Sequence, residues 1–335
     1  MKALVTGGGG FLGAAILRQL RQRPDTTTLR SLSRTRHAHL DAFDVEQVQA
    51  DLSDLAAVEA AAEGCDVIFH VAARAGSWGP WDDFYNANVV GTENVLNACR
   101  AAAVPHLVYT STPSVVFDGK DIEGGDESLP YPETYIAHYP HTKAIAERLV
   151  LAAHSDKLGV VALRPHLIWG PGDTNLIPRI LERSDAGVLR KIGPGKLIDT
   201  VYIDDAARAH LLAADRLRDP ETTATVSGKA FFISSGSPIN TWEMVNRILA
   251  TAGKPPVERT IPPAVAYGAG WLLEKVWQLT GKTTEPRMTR WVAQELAHAH
   301  WFDISAARRD LGYTPQVSLE DGMRALAEAL GQPSR

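Results

Sequence analysis

The chain has 335 residues, 45% of them hydrophobic and 22% charged, with a formal net charge of −5. That length exceeds one compact core and predicts about two domains, and the acidic balance excludes a nucleic-acid surface, which needs a clustered basic excess. Cys65 and Cys99 stand outside any C-x-x-C spacing, so neither a disulfide framework nor a zinc site is indicated, and no histidine pair is spaced as metal ligands. The cysteine usage fits a reducing cytoplasm. The opening run Lys2-Ala3-Leu4-Val5-Thr6 is strand-like, which predicts no signal peptide. The apolar stretch 264–273 ends at Glu274 and Lys275 and is too short to span a bilayer, although residues 264–279 have the make-up of a helix that lies on a membrane surface.

In chain order, strand patterns fall at 3–6, 27–32, 47–50, 66–71, 107–111 and 160–164. Helical patterns lie between them: Leu12, Ile16, Leu17 and Leu20, then 89–102, then Ile145, Leu149 and Ala153. This alternation predicts an α/β chain, a Rossmann-type doubly wound parallel sheet. After Pro165 comes the turn cluster Trp169-Gly170-Pro171-Gly172-Asp173. An amphipathic segment at 176–189, strand-like runs at 197–203 and 230–234, and helical patterns at 271–279 and 287–298 follow. The expected division is a dinucleotide-binding domain over 1–168, also receiving about 199–236 and 302–313. A smaller, mostly helical C-terminal substrate lobe takes 169–198 and 237–301, and 314–335 forms a C-terminal helix and tail.

Thr6-Gly7-Gly8-Gly9-Gly10-Phe11-Leu12-Gly13 joins the first strand to the first helix. Gly7, Gly10 and Gly13 have the spacing at which a backbone turns sharply against a pyrophosphate, with the helix start at Phe11 and Leu12 supplying amides. An NAD enzyme carries an acidic residue after the second strand to hold the ribose 2′-hydroxyl. Here Ser33 and Arg34 stand in that place. Their donors favour a 2′-phosphate, so NADP(H) is expected in preference to NAD(H).

Tyr139-Pro140-His141-Thr142-Lys143 opens another helical pattern. The four-residue spacing puts Tyr139 and Lys143 on one helical face. A phenol can supply a proton to a carbonyl oxygen, and a neighbouring ammonium favours its ionised form. A hydroxyl at the end of the fifth strand would fix the substrate oxygen. Ser111 and Thr112 are both candidates, because adjacent strand residues point to opposite sides.

Together these residues resemble the extended short-chain dehydrogenase/reductases, over nearly the whole length. The match includes Asp51-Leu52, His70-Val71-Ala72-Ala73, Asn88-Val89-Val90-Gly91-Thr92, Tyr109-Thr110-Ser111-Thr112, Arg164-Pro165 and Tyr202-Ile203-Asp204-Asp205. The resemblance implies that Asp51 and Leu52 border the adenine and that Ala72 and Ala73 line the cofactor groove. Asn88 would orient the lysine side of the site, Pro165 would flank the nicotinamide, and Thr112 matches the catalytic hydroxyl. Within the family the chain is nearest the 3β-hydroxysteroid dehydrogenase-like branch, and there the 2-alkyl-3-oxoalkanoate reductases. That class implies NADPH-dependent reduction of the 3-keto group of a two-chain fatty acid, a cytoplasmic enzyme and a homodimer. A 3β-hydroxysteroid dehydrogenase, a nucleotide-sugar epimerase or dehydratase, and a non-catalytic dinucleotide sensor are the alternative readings.

The lobe predicts a hydrophobic small-molecule substrate. Leu272, Val276 and Leu279 form one stripe beside Trp271 and Trp277, and Met288, Trp291, Val292 and Leu296 form another. Trp78, in the loop after the fourth strand, and His166, after Pro165, are the expected substrate contacts. Arg179, Arg183, Arg190 and Lys191 could meet a fatty carboxylate or face solvent.

Overall fold

A computed structural model describes residues 1–331 of the protein; the end of the expected C-terminal tail lies outside the described residues. Seven parallel strands form the main sheet. They are β1 (Lys2–Thr6), β2 (Thr28–Ser33), β3 (Glu46–Gln49), β4 (Val67–His70), β5 (His106–Thr110), β6 (Gly159–Pro165) and β7 (Lys229–Ile233). The order across the sheet is β3-β2-β1-β4-β5-β6-β7. It reverses between β1 and β4, which opens a crevice at the carboxyl ends of those strands.

Alternate strand residues supply two cores, one per face. Val5, Phe69, Val108 and Val161 meet α1 (Phe11–Arg21) on one side. Leu4, Ile68, Leu107 and Val160 meet α2 (Gly91–Ala101) on the other. Crossing from the second face to the sheet's open end is α3 (His138–Ala152). The lobe contributes α4 (Leu176–Asp185).

The run expected as one strand over 197–203 is divided three ways. Leu197–Ile198 belongs to a four-stranded sheet with Ile239–Asn240, His300–Phe302 and Ile122–Gly125. Val201–Tyr202 pairs with Ile168–Trp169. Ile203 starts a helix, α5 (Ile203–Arg218), whose Ile203, Ala206, Ala207, His210, Ala214 and Leu217 are buried. That helical periodicity outweighs the short β-branched run before it, and Asp204 and Asp205 suit the positive end of the helix. Of residues 302–313, Phe302 pairs in the small sheet and stacks on Phe232 of β7 at 4.2 Å, while 307–311 pack on α5 and β7 and the Tyr313 hydroxyl donates to the Ser234 carbonyl at 3.0 Å.

The lobe adds α6 (Thr241–Thr251), α7 (Pro263–Thr280) and α8 (Arg290–Ala297), and α9 (Leu319–Ala329) closes the described chain. Among the described residues, no helix is long and apolar enough to cross a membrane. The α7 stripe expected to face substrate points outward instead: Leu272 and Val276 are exposed and Leu279 is 88% exposed. The packed face of α7 is Ala266, Gly270 and Glu274. A Cβ on Gly270 would lie 2.6 Å from the Thr289 backbone, so glycine sets the close approach of α8. Glu274 accepts from the Arg290 backbone N–H at 2.7 Å and pairs with its guanidinium at 2.6 Å. A carboxylate at a helix start outweighs the apolar stripe in choosing the inward face.

Candidate active site

The first βα turn is built by glycine. Gly7 has φ +69°, and a Cβ there would lie 2.9 Å from the Cα of Ala72. A Cβ on Gly13 would run into the Gly7 carbonyl oxygen, so the first turn of α1 requires glycine there. Thr6 Oγ1 accepts from the N–H groups of Val71 and Ala72 at 3.2 and 3.3 Å, which joins the turn to the β4 end. His70 bridges Thr6 at 2.7 Å and Thr92 at 2.9 Å. Burial pushes its pKa down to about 3, so it remains a neutral strut.

Around this turn lie the expected cofactor residues. Ser33 Oγ is buried with no hydrogen-bond partner, and Arg34 is exposed close enough to Asp51 to lower its carboxyl pKa. The larger cause of that lowering is hydrogen bonding from Ser53. Leu52 packs on Gly91, and its carbonyl accepts from Asn94 at 2.7 Å. Leu12 turns into the core, so only its backbone faces the loop, while Phe11 packs beside Gly172. Ala73 is exposed beyond the half-buried Ala72, and Pro165 ends the buried strand β6. An orphaned hydroxyl, a free guanidinium and a loop lined by bare backbone fit a nicotinamide dinucleotide. Sequence reasoning missed His37, whose ring fills the space a Cβ on Gly9 would need. Among the described residues no cluster could hold a metal ion.

Asn88 sits in a π-helical turn, Asn86–Val90, a distortion that frequently marks functional sites. Its amide binds the Arg74 backbone at 2.7 and 3.0 Å and reaches Thr142 Oγ1 at 3.0 Å. It thus ties the loop after β4 to α3, next to Lys143. Lys143 is 2% exposed. Its ammonium donates to the Thr110 carbonyl at 2.6 Å and lies 4.1 Å from the centre of the Tyr109 ring. Burial pushes its pKa down to about 7, against an opposing pull from Glu147 one turn further along α3. Glu147, missed by the sequence reading, is buried in an ion pair with Arg164 at 2.6 Å and accepts from the Tyr131 hydroxyl at 2.6 Å.

Tyr139 opens the same helical face, at the groove. Burial raises its pKa to about 12; the nearby Thr112 hydroxyl opposes this, and the Glu295 charge adds to it. The expected lowering by Lys143 does not offset that rise, and its amine is engaged by the Thr110 carbonyl at 2.6 Å. Thr112 also accepts from Ser114 N–H at 3.3 Å, whereas Ser111 Oγ is buried without a partner. Thr112 is therefore the hydroxyl beside the phenol.

Over the groove lies α8. Trp291 meets Tyr139 edge to face, ring centres 6.2 Å apart. Trp78 donates through its indole N–H to the Lys282 carbonyl at 3.2 Å, while Ser77 and Arg179 both bind Glu285. Trp78 and Ser77 therefore tie the loop after β4 to the 282–285 segment. His166 turns away from the groove: its ring is buried and hydrogen-bonded to His300 at 2.6 Å. It packs against Phe302 as well, a core position rather than the expected substrate contact. Arg183 and Arg190 donate to backbone carbonyls.

Two relatives carry the name 2-alkyl-3-oxoalkanoate reductase. The protein from Stenotrophomonas maltophilia is 47% identical over 97% of this chain and 98% of its own length. The one from Shewanella oneidensis is 46% identical over 98% of this chain and 86% of its own. A human sterol-4-alpha-carboxylate 3-dehydrogenase, decarboxylating, is 32% identical over 98% of this chain and 88% of its own. Among solved structures, that of gox2253 superposes with a TM-score of 0.78 at 27% identity, covering 98% of this chain and 97% of that one. A UDP-glucuronic acid 4-epimerase from Bacillus cereus, in complex with NAD, has the same fold: TM-score 0.75, 22% identity, 99% of both chains. Residues 4–262 match the 3-beta hydroxysteroid dehydrogenase/isomerase family. The chain belongs to that family and is an extended short-chain dehydrogenase/reductase, an oxidoreductase that works with a nicotinamide dinucleotide.

Proposed function

We propose that the protein is an NADPH-dependent reductase of a 3-keto group on a hydrophobic carboxylic acid, converting a 2-alkyl-3-oxoalkanoate to the 2-alkyl-3-hydroxyalkanoate. The observation that carries the reaction type is the Tyr139–Thr112 pair at the groove, with Lys143 one turn behind. The substrate class rests on the relatives' names. These share one chemical feature with the sterol enzyme's name: an oxygen at carbon 3 with a carboxylate on the adjacent carbon.

A nicotinamide dinucleotide held here would supply hydride to the keto carbon. Ser33 and Arg34 hold the adenosine 2′-phosphate, and Asp51 and Leu52 border the adenine. Gly7, Gly10 and Gly13 give the pyrophosphate a bare backbone surface. Tyr139, kept protonated by burial, donates its phenolic proton to the substrate oxygen as the alcohol forms. Thr112 donates to the same oxygen and fixes it at hydrogen-bond distance of the phenol. Lys143, which here donates to the Thr110 carbonyl, would hold the nicotinamide ribose when the dinucleotide is bound.

Nicotinamide absorbance with a 2-alkyl-3-hydroxyalkanoic acid, a 3β-hydroxysteroid and a UDP-sugar, each with NADP and NAD, tests the assignment. Turnover of the fatty acid with NADP preferred is the expected result. Turnover of the UDP-sugar alone would overturn it.

A further inference from the structure

Trp291 and Glu295 lie one turn apart on α8, so both occupy the face that meets Tyr139. Neither polar group is satisfied. The Trp291 indole N–H is buried without a partner among the described residues. Glu295 is half-buried beside it, and its carboxyl has no hydrogen bond or ion pair among the described residues. An unpaired buried donor costs about 1–3 kcal/mol, so unpartnered polar groups together with Ser111 Oγ at one groove point to a polar ligand.

The donor inventory identifies that ligand. Indole N–H only donates, so the ligand must accept. The neighbouring cations are already engaged: Arg290 with Glu274, Arg179 with Glu285, Lys143 with the Thr110 carbonyl. Recognition must therefore come from neutral donors. We propose that Trp291 and Glu295 form a carboxylate subsite, in which the indole N–H and a protonated Glu295 both donate to the acid group one carbon away from the substrate's keto carbon. This rests on the 3-keto acid reading above and assigns residues to it.

The surroundings agree. Burial holds Glu295 up to about 7, so its protonated form is well populated at neutral pH and dominates below it. The groups around it are few. Tyr139 on α3 stays protonated. His300 meets the Glu295 backbone carbonyl at 2.7 Å and, like His166 behind it, is held neutral by burial. His298 follows α8, Glu274 on α7 is paired with Arg290, and Lys191 lies in the short strand packed on α8. Lys143, pushed down to about 7, titrates in the same window one turn from Tyr139, so the Glu295→Gln variant is what isolates the Glu295 ionisation.

The test is binding, without turnover. The dissociation constant of a saturated 2-alkylalkanoic acid, and of its primary amide, is measured calorimetrically on the NADP-loaded enzyme from about pH 6 to pH 9. The free acid is ionised throughout. Acid affinity is expected to fall about tenfold per unit above the Glu295 pKa, while amide affinity stays flat. Glu295→Gln should remove the pH dependence, and Trp291→Phe should weaken acid binding about tenfold at every pH. Acid affinity independent of pH in the wild type, or the same dependence surviving in Glu295→Gln, would overturn the proposal. Failure of the reductase reading shows elsewhere, as absence of Tyr139-dependent turnover.

Discussion

Lys143 donates to the carbonyl oxygen of Thr110 at 2.6 Å, one turn from the phenol of Tyr139 that lies on the same helical face. The buried amine therefore satisfies itself on the end of β5. Its pKa, pushed down to about 7, makes folding pay for its protonation. In the unfolded chain the amine keeps its proton up to about 10.4. Between those values the unfolded state binds the extra proton, so this group's contribution to stability rises with pH across that window. Below pH 7 the penalty is fully present. Lys143→Met removes the titration. The melting-temperature difference, wild type minus variant, should become more positive from about pH 7 to pH 10, read by calorimetry on cofactor-free protein. A flat difference would contradict the burial argument.

Thr112 and Ser111 should separate kinetically. Thr112→Val keeps shape and loses the hydroxyl beside the phenol, and kcat is expected to fall about 100-fold with KM little changed. Ser111→Ala should cost only a few-fold, since its Oγ has no link to Tyr139. Steady-state kinetics on both variants decides, and equal losses would contradict the assignment of Thr112.

Cofactor choice should follow Ser33 and Arg34. Arg34→Asp puts a carboxylate where the 2′-phosphate is expected. NADPH affinity should drop about 10- to 100-fold while NADH affinity holds or improves. Fluorescence titration of both nucleotides reads this directly. An unchanged ratio would remove the residues from cofactor recognition.

Behind the site, Arg164 and Glu147 are 3% and 0% exposed. Arg164→Ala would leave a buried carboxylate without its partner, at an expected cost of about 3–5 kcal/mol in denaturant unfolding. Replacing both by apolar residues should recover much of that loss, because the second charge is then gone as well. A double variant as unstable as the single one would contradict this.

Much of the sheet was readable because β1, β4, β5 and β6 are short apolar runs bounded by turn residues, and the glycine loop is local chemistry. What escaped depended on distance in the chain. α5 was hidden because Val201-Tyr202-Ile203 reads as a strand until Ala206, Ala207 and His210 reveal helical periodicity. The α7 stripe misled for a different reason: apolar spacing gives a face, but Gly270 and Glu274 decide which face packs. His166 looked like a groove residue until His300, 134 residues away, took its ring. Tyr139, Lys143 and Asn88 were legible from spacing and resemblance. Trp291 and Glu295 stood in a plain amphipathic helix, and nothing local showed that they meet Tyr139.

The most direct test of the account is turnover of a 2-alkyl-3-hydroxyalkanoic acid with NADP, followed by absorbance in wild type and Tyr139→Phe, with NADP affinity measured on both. A loss of about 1,000-fold or more in kcat, with nucleotide affinity retained, is the predicted result. Near-wild-type turnover in the variant would contradict the role of Tyr139 as proton donor, and with it the mechanism proposed for this groove.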